Sequence, residues 1–243
     1  MNQVLPGLKP IQSRLATLGF YHDAVDGEWG GNTEGGINAL LDQAENMPAA
    51  PRSASVGAKT PAPLPRLPAQ WAWLANVGPL PRHLHAMLSL YGITETKGTP
   101  SNPVILGWAR DLGGDVARSY LNDGIPWCGL AIAHAMQLAD REVVAGPLWA
   151  LNWSKWGQDG GQPELGDLLT FQRDGGGHVA LYIGEDKAGR YYILGGNQDD
   201  MVCIMPIKKI RMKACRQPPY TVKPACVRPY LLTATGAVSV NER

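Results

Sequence analysis

The residue in this chain best placed for covalent chemistry is Cys128, in the stretch DGIPWCGLAIAHAM (residues 123–136). A cysteine that follows Ile-Pro-Trp and heads a run of small and apolar residues fits the first turn of a buried helix. There the unpaired N–H groups and the helix dipole favour a thiolate, which makes the residue a nucleophile rather than an inert core thiol. The matching base is His178, directly after Gly175-Gly176-Gly177 and at the start of the strand-like run HVALYIGE, where its ring can face the helix terminus. Asn197 closes the next strand-like run, RYYILGGN, and its carbonyl oxygen can accept the far ring N–H and fix the tautomer. A thiol on a helix, then a histidine and an amide on successive strands, is a set for acyl transfer: attack on a carbonyl with the imidazole moving the proton. His134 is the competing imidazole, but it lies six residues along the same helix and points elsewhere. His22, His83 and His85 fall outside this core, and Asp167 in LGDLL reads as a turn residue that enters a strand.

The elements that must hold these residues divide at a proline-rich stretch. Residues 47–69, beginning MPAAPRSASVGAKTPAPLPRLP, carry few large apolar groups and predict an extended linker between a module at 1–46 and a domain at 70–243. In the module, Ile11, Leu15 and Leu18 recur at helical spacing, and Gly19 suits a helix C-cap. A glycine-rich loop, YHDAVDGEWGGNT, follows, with Thr33 placed to cap a second helix that turns Ile37, Leu40 and Leu41 inward. In the larger domain PRHLHAMLSLYG predicts an entry helix. Asn102 before Pro103 predicts a second helix carrying Ile105, Leu106 and Trp108. Pro126 suits the first turn of the Cys128 helix, with Ile132, Met136 and Ala139 on one face. Downstream, LGDLLTFQ, HVALYIGE, RYYILGGN and MVCIMPIKKI are rich in branched and aromatic residues and are separated by turn signals. They predict an antiparallel meander on the cysteine helix, an α+β class.

A net charge of +1 from 22 Lys+Arg against 21 Asp+Glu gives no reason to expect nucleic acid as a partner. No apolar run is long enough to span a membrane, so no integral membrane segment is expected. The opening MNQVLPGLKP lacks the regions of a secretory signal, which predicts synthesis in the cytoplasm and release by another route. Cys128, Cys203, Cys215 and Cys226 include no C-x-x-C pair, so neither a disulfide framework, a zinc site nor any other metal or cofactor is expected.

Two resemblances give these patterns a function. Leu-Gly-Phe-Tyr ending a helix, Val25-Asp26-Gly27, Trp29-Gly30 and Thr33 resemble the peptidoglycan-binding module of many cell-wall hydrolases over residues 5 to 45. That resemblance implies that Tyr21, Asp26 and Trp29 contact the wall. PWCGLAIAHAM, ELGDLLTF, GGHVALYIG and YILGGNQ, in that order over residues 92 to 218, resemble the CHAP and NlpC/P60 cysteine peptidoglycan hydrolases, a papain-like fold, and in particular a phage-endolysin-like branch. By this resemblance Cys128 is nucleophile, His178 general base and acid, and Asn197 the orienting group, with Trp127 beside the nucleophile contacting substrate. Many CHAP domains carry a glutamate where this chain has Gly195, so Asn197 would orient the imidazole alone. Trp149, Trp153 and Trp156 fit either a substrate groove or a packed loop. The implied protein is a monomeric lysin, made in a host bacterium's cytoplasm and passing through a holin's lesions to the periplasmic wall. Its target is an amide in the peptide part. A secreted antibacterial amidase effector of the same chemistry, or a non-catalytic wall-binding or phage structural protein, are the alternatives.

Overall fold

Leu8, Gln12 and Leu15 lie four and three residues apart, and that spacing gives helix α1 (Leu8–Thr17) its buried face. The computed structural model describes residues 3–4, 8–17, 19–46, 63–173, 175–233 and 235–238, and the chain divides into two compact units, 1–59 and 60–243. Most of the proline-rich stretch, Leu18, and the side chains of Leu40 and Leu41 lie outside the described residues.

In the first unit β1 (Gln3–Val4) pairs antiparallel with β2 (Glu28–Trp29), and α2 (Gly31–Asn46) follows directly. Ile11 shares the helical spacing of Leu15 but is 47% exposed, and the buried position one residue on belongs to Gln12. The Gln12 carbonyl accepts Gly27 N–H at 2.8 Å, while its amide nitrogen lies 3.0–3.1 Å from Tyr21 Oη, Asp26 Oδ1, Glu28 O and Thr33 Oγ1. This one amide fixes the glycine loop to the helix and satisfies groups that burial would otherwise leave orphaned. The expected Thr33 cap is corrected. It lies inside α2 rather than capping it, and its hydroxyl donates to Glu28 O at 3.3 Å while accepting from Gln12. Gly19 does end the first helix, at φ 81°, with Phe20 N–H bonding Leu15 O and Gly19 N–H bonding Ala16 O. Gly36 is required where α2 meets this end, because a Cβ there would stand 2.5 Å from Phe20 O.

The second unit is α+β. A 3-10 turn (Ala69–Ala75) leads to α3 (Arg82–Ser89), α4 (Pro103–Leu112), α5 (Gly114–Ser119) and α6 (Cys128–Leu138). Asn102 caps α4, its Oδ1 accepting Val104 N–H at 2.8 Å, with Pro103 in the first turn where its missing N–H costs nothing. Pro126 lies just ahead of α6 rather than in its first turn, and Trp127 takes the cap position. After a second 3-10 turn (Ala150–Lys155) come β3 (Gln158–Asp159), β4 (Leu168–Arg173), β5 (Gly176–Glu185), β6 (Arg190–Gln198), β7 (Met201–Lys208) and β8 (Met212–Gln217). They form one antiparallel sheet in the order β3-β8-β4-β5-β6-β7. The four-strand meander is therefore extended: β8 returns past the whole hairpin series to pair with β4.

Strand alternation sorts the sheet into two faces. Leu168, Val179, Leu181, Ile183, Leu194, Val202 and Ile204 join the core that holds α6, whose residues from Cys128 to Met136 are all buried. A helix apolar on every side belongs in the centre of a core, and here the α3 and α4 helices cover the flank the sheet leaves open. Leu169, Phe171, Ala180, Tyr182, Tyr191, Ile193 and Cys215 pack on the opposite face.

Two buried ionisable groups meet at Gly166. His83, outside the Cys128–His178 set, is fully buried with Nε2 2.8 Å from Gly166 O; burial pushes its pKa down to about 4, against the Gly166 hydrogen bond. Asp167 is also fully buried, and burial raises it to about 6 despite accepting Glu164 N–H at 2.9 Å and contacts from Cys215 and Gln217. His83 has its folded pKa below its unfolded value, so its stabilisation is lost as pH falls from about 6.5 to about 4. Asp167 has its folded pKa above its unfolded value, so its stabilisation is lost as pH rises from about 4 to about 6. Each is worth about 3 kcal/mol, and the two slopes oppose each other in the shared window. Asp167→Asn should therefore gain about 3 kcal/mol on wild type between pH 4 and pH 6 in chemical denaturation. Parallel stability curves for the two proteins would refute this.

Candidate active site

Cys128 is the first residue of α6, and its Cα–Cβ bond tilts toward the helix N-terminus. The loop before it is tied down by Asp123, whose Oδ2 accepts the Thr96 and Asn102 N–H groups at 2.8 Å each. Burial works to raise this carboxyl, but those donors hold it below the ordinary aspartate value. Trp127 is buried, donates from Nε1 to Glu95 Oε2 at 2.9 Å and packs tilted on Trp108 at 6.0 Å. It is thus a post that fixes the loop before Cys128. The expectation that it contacts substrate is corrected, because it has no surface left to offer. Behind the thiol, Gly129 allows a close approach: a Cβ there would lie 2.2 Å from Pro147 O and 2.9 Å from Leu148 O.

His178 stands on β5, whose residues Val179, Leu181 and Ile183 face α6. Alternation sends His178 to the other face with Ala180 and Tyr182, and its ring lies 6.5 Å from that of Phe171. It is near the strand's first residue, at the end of the sheet where β6 finishes. That is also where α6 begins, since a Cβ on Gly196 would meet Ala131 Cβ at 2.6 Å and the Trp127 ring at 2.7 Å. Thiol and imidazole therefore share one end of the unit, His178 coming from the far face of the sheet rather than from the face against the helix.

The partner of the His178 ring is Gln198, where the sequence pointed to Asn197. His178 Nε2 lies 3.0 Å from Gln198 Oε1. The Gln198 amide nitrogen donates to Cys203 O at 2.6 Å and to Ile193 O at 3.3 Å, which fixes which way the buried amide faces. Because Oε1 only accepts, Nε2 carries the ring proton and Nδ1 is the basic nitrogen. The reason for the one-residue difference is a bulge. Gly195 pairs with Cys203 and Gln198 with Met201, three steps on β6 against two on β7. The extra residue flips the alternation and returns Gln198 to the face of Gly195, whose would-be Cβ lies 3.1 Å from Gln198 Oε1. Asn197 takes the left-handed backbone at φ 54°, and the turn Asp199-Asp200 that follows is left-handed at both residues, the form that suits a two-residue hairpin.

No protein-family model, curated protein or solved structure matches this chain.

The remaining candidates separate clearly. His134 stacks on Trp108 with ring centroids 5.3 Å apart, and burial lowers its pKa. Trp153 and Trp156 are core residues whose indole N–H groups reach Pro147 O and Glu142 O at 2.9 Å. Trp149 is 63% exposed and lines a groove of about 940 Å³ that reaches Ile125 and Pro126, which precede Cys128 in the chain. In the first unit Tyr21 is buried and hydrogen-bonded to Ala24 O at 3.0 Å, so it shapes the loop instead of facing a ligand. Asp26 is exposed but holds Gln12 and Glu28 N–H, and Trp29 is 43% exposed. All four cysteines are buried and none is in a disulfide; burial pushes Cys203 up to about 11 and raises Cys215 and Cys226. Among the described residues no three His, Cys, Asp or Glu side chains cluster as a metal site requires, and no helix is long and apolar enough to cross a membrane.

Proposed function

We propose that the second unit is a papain-like cysteine hydrolase that cuts an amide in bacterial peptidoglycan, using Cys128, His178 and Gln198, and that the first unit holds the wall. The observation that carries this reading is the 3.0 Å contact from His178 Nε2 to Gln198 Oε1, at the end of the sheet where α6 presents Cys128. His178 Nδ1 takes the thiol proton, and the thiolate attacks the amide carbonyl carbon. The tetrahedral oxyanion is stabilised by the Cys128 backbone N–H, which as the first in its helix has no intrahelical acceptor. The imidazolium then gives its proton to the leaving amine. Water, deprotonated by Nδ1, releases the acyl group and restores the thiol. Gln198 keeps the proton on Nε2 throughout, a role expected of Asn197. In the first unit the exposed Trp29 indole and the loop locked by Gln12 support wall contact, with Asp26 inside that loop. The biological reading is a lytic enzyme that reaches the wall after release from the host cytoplasm.

Incubated with purified bacterial walls, the protein should clear the suspension and release new amino groups without new reducing sugar ends. Iodoacetamide should stop it, and EDTA should leave the rate unchanged. Release of reducing ends in place of amines would assign the activity to the glycosidic bond and reject this mechanism.

A further inference from the structure

We infer that the turn between β7 and β8, with the β5–β6 turn beside it, docks reversibly on an anionic lipid surface. Ile210 enters the headgroup layer, and the cations around it meet lipid phosphates. This goes beyond the hydrolase reading and does not depend on it. The sequence segregates its charge: of the 21 acidic residues only Glu242 follows Asp200, against eight of the 22 basic ones. The last 43 residues are therefore net +7 in a chain whose total is +1. Segregation of that kind points to an anionic partner, which a near-zero total conceals.

The fold gathers much of this charge in one place. A 3-10 turn spans Lys209–Arg211, and Lys209 N–H bonds Gly189 O at 3.1 Å, which sets it against the β5–β6 turn that carries Lys187. The acids there are already neutralised. Glu185 pairs with Lys209 at 2.7 Å and Asp186 with Arg190 at 2.6 Å. Lys187, Lys208, Arg211 and Lys213 are exposed, and none has an acidic partner among the described residues. Amid them stands Ile210, 91% exposed, more than any other large apolar side chain among the described residues.

The combination selects the occupant. A soluble phosphate polymer would use the four cations and leave Ile210 in water. A single-stranded nucleic acid would also need aromatic faces for its bases, and no aromatic residue lies between Lys208 and Lys213. An anionic bilayer uses both features, burying the apolar tip while its phosphates attract the cations. Each cation near such a surface gains about fivefold in affinity, and one isoleucine in the headgroup layer gains about as much. The expected partition coefficient is about 10³ to 10⁴ M⁻¹, just under that of a single myristoyl chain. The contact is therefore a reversible one that raises the local concentration of the chain at a membrane.

The full-length protein can be mixed with sucrose-loaded vesicles, either of phosphatidylcholine alone or of phosphatidylcholine and phosphatidylglycerol in equal parts, and the bound fraction read by sedimentation. Binding is expected to the anionic vesicles only, and it should vanish at about 1 M salt, where the screening length falls to about 3 Å. Lys208→Glu together with Arg211→Glu should weaken it at least about twentyfold, and Ile210→Ser about fivefold. Leu121→Ser, at an apolar residue 70% exposed outside this patch, should leave it unchanged. Because all these side chains are exposed, each variant should keep the unfolding midpoint of wild type. Equal binding to both kinds of vesicle would overturn the inference, as would no binding to either. So would charge reversal that abolishes binding while Ile210→Ser does nothing and soluble polyphosphate captures the protein as tightly, since the partner would then be a phosphate polymer.

Discussion

On the proposed chemistry, Cys128→Ala should remove wall lysis, with a loss of at least about a thousandfold, because the other groups of the site could bind and polarise an amide but not form the acyl intermediate. The same change should leave the unfolding midpoint nearly unmoved, since it deletes one sulfur at the end of a helix whose apolar contacts come from Leu130, Ile132 and Met136. The companion result is chemical. All four thiols are buried, so exposure does not distinguish them. Cys203 is pushed up to about 11, and Cys215 and Cys226 are raised, which keeps those three as unreactive thiols at neutral pH, whereas Cys128 opens a helix, a position that favours a thiolate. Under native conditions iodoacetamide should therefore add once per chain to wild type and not at all to Cys128→Ala. Lysis that survives the substitution, or a label that lands on Cys226, would reject Cys128 as the nucleophile.

Exchanging the ring's partner should separate the two amides at the end of β6. Gln198→Ala leaves His178 present but without its Nε2 acceptor, so either tautomer is available and the ring can swing. The expected loss is about 10- to 1000-fold, mainly in kcat. Asn197→Ala should cost no more than a few-fold, since the Asn197 contribution is a left-handed backbone that alanine adopts at about 1 kcal/mol. Gln198→Glu keeps an acceptor at the same reach and adds a negative charge. That charge stabilises the imidazolium, so the acidic limb of the pH–rate profile should move to higher pH while much of the turnover is retained. A larger loss in Asn197→Ala than in Gln198→Ala would return the orienting role to Asn197.

What the sequence made legible follows from what each signal encodes. The Asn102-Pro103 cap, the buried run from Cys128 to Met136 and the turns between β4, β5, β6 and β7 are local, and local chemistry determines them. The errors share a different cause. One inserted residue on β6 exchanges Asn197 for Gln198 at the imidazole, and only the β7 register reveals the bulge. In the same way Ile11 looks like a core residue until Gln12 is seen to meet the loop at Gly27 and Glu28, which are distant in sequence. Trp127 reads as a ligand contact because it adjoins the thiol, and the hydrogen bond to Glu95 that makes it a post joins residues 32 positions apart. β8 carries Lys213 and Arg216 among its apolar residues and has no adjacent hairpin to announce it. An inner strand of the sheet thus stayed hidden although the class was evident.

The contact behind the nucleophile also bears on how such a sequence can drift. Any side chain at Gly129 would drive into the carbonyls of Pro147 and Leu148, so relieving it means moving the wall of the groove or the helix that carries the thiol. On the proposed chemistry, cysteine and glycine at 128 and 129 answer opposite demands, one of reactivity and one of steric exclusion. A lineage that abandoned the reaction would be free to replace the cysteine at once, yet would keep the glycine for as long as it kept the fold. Descendants with Ser-Gly or Ala-Gly in this position would mark inactive copies that still assemble the same core, and descendants with a side chain at 129 would mark a core rebuilt.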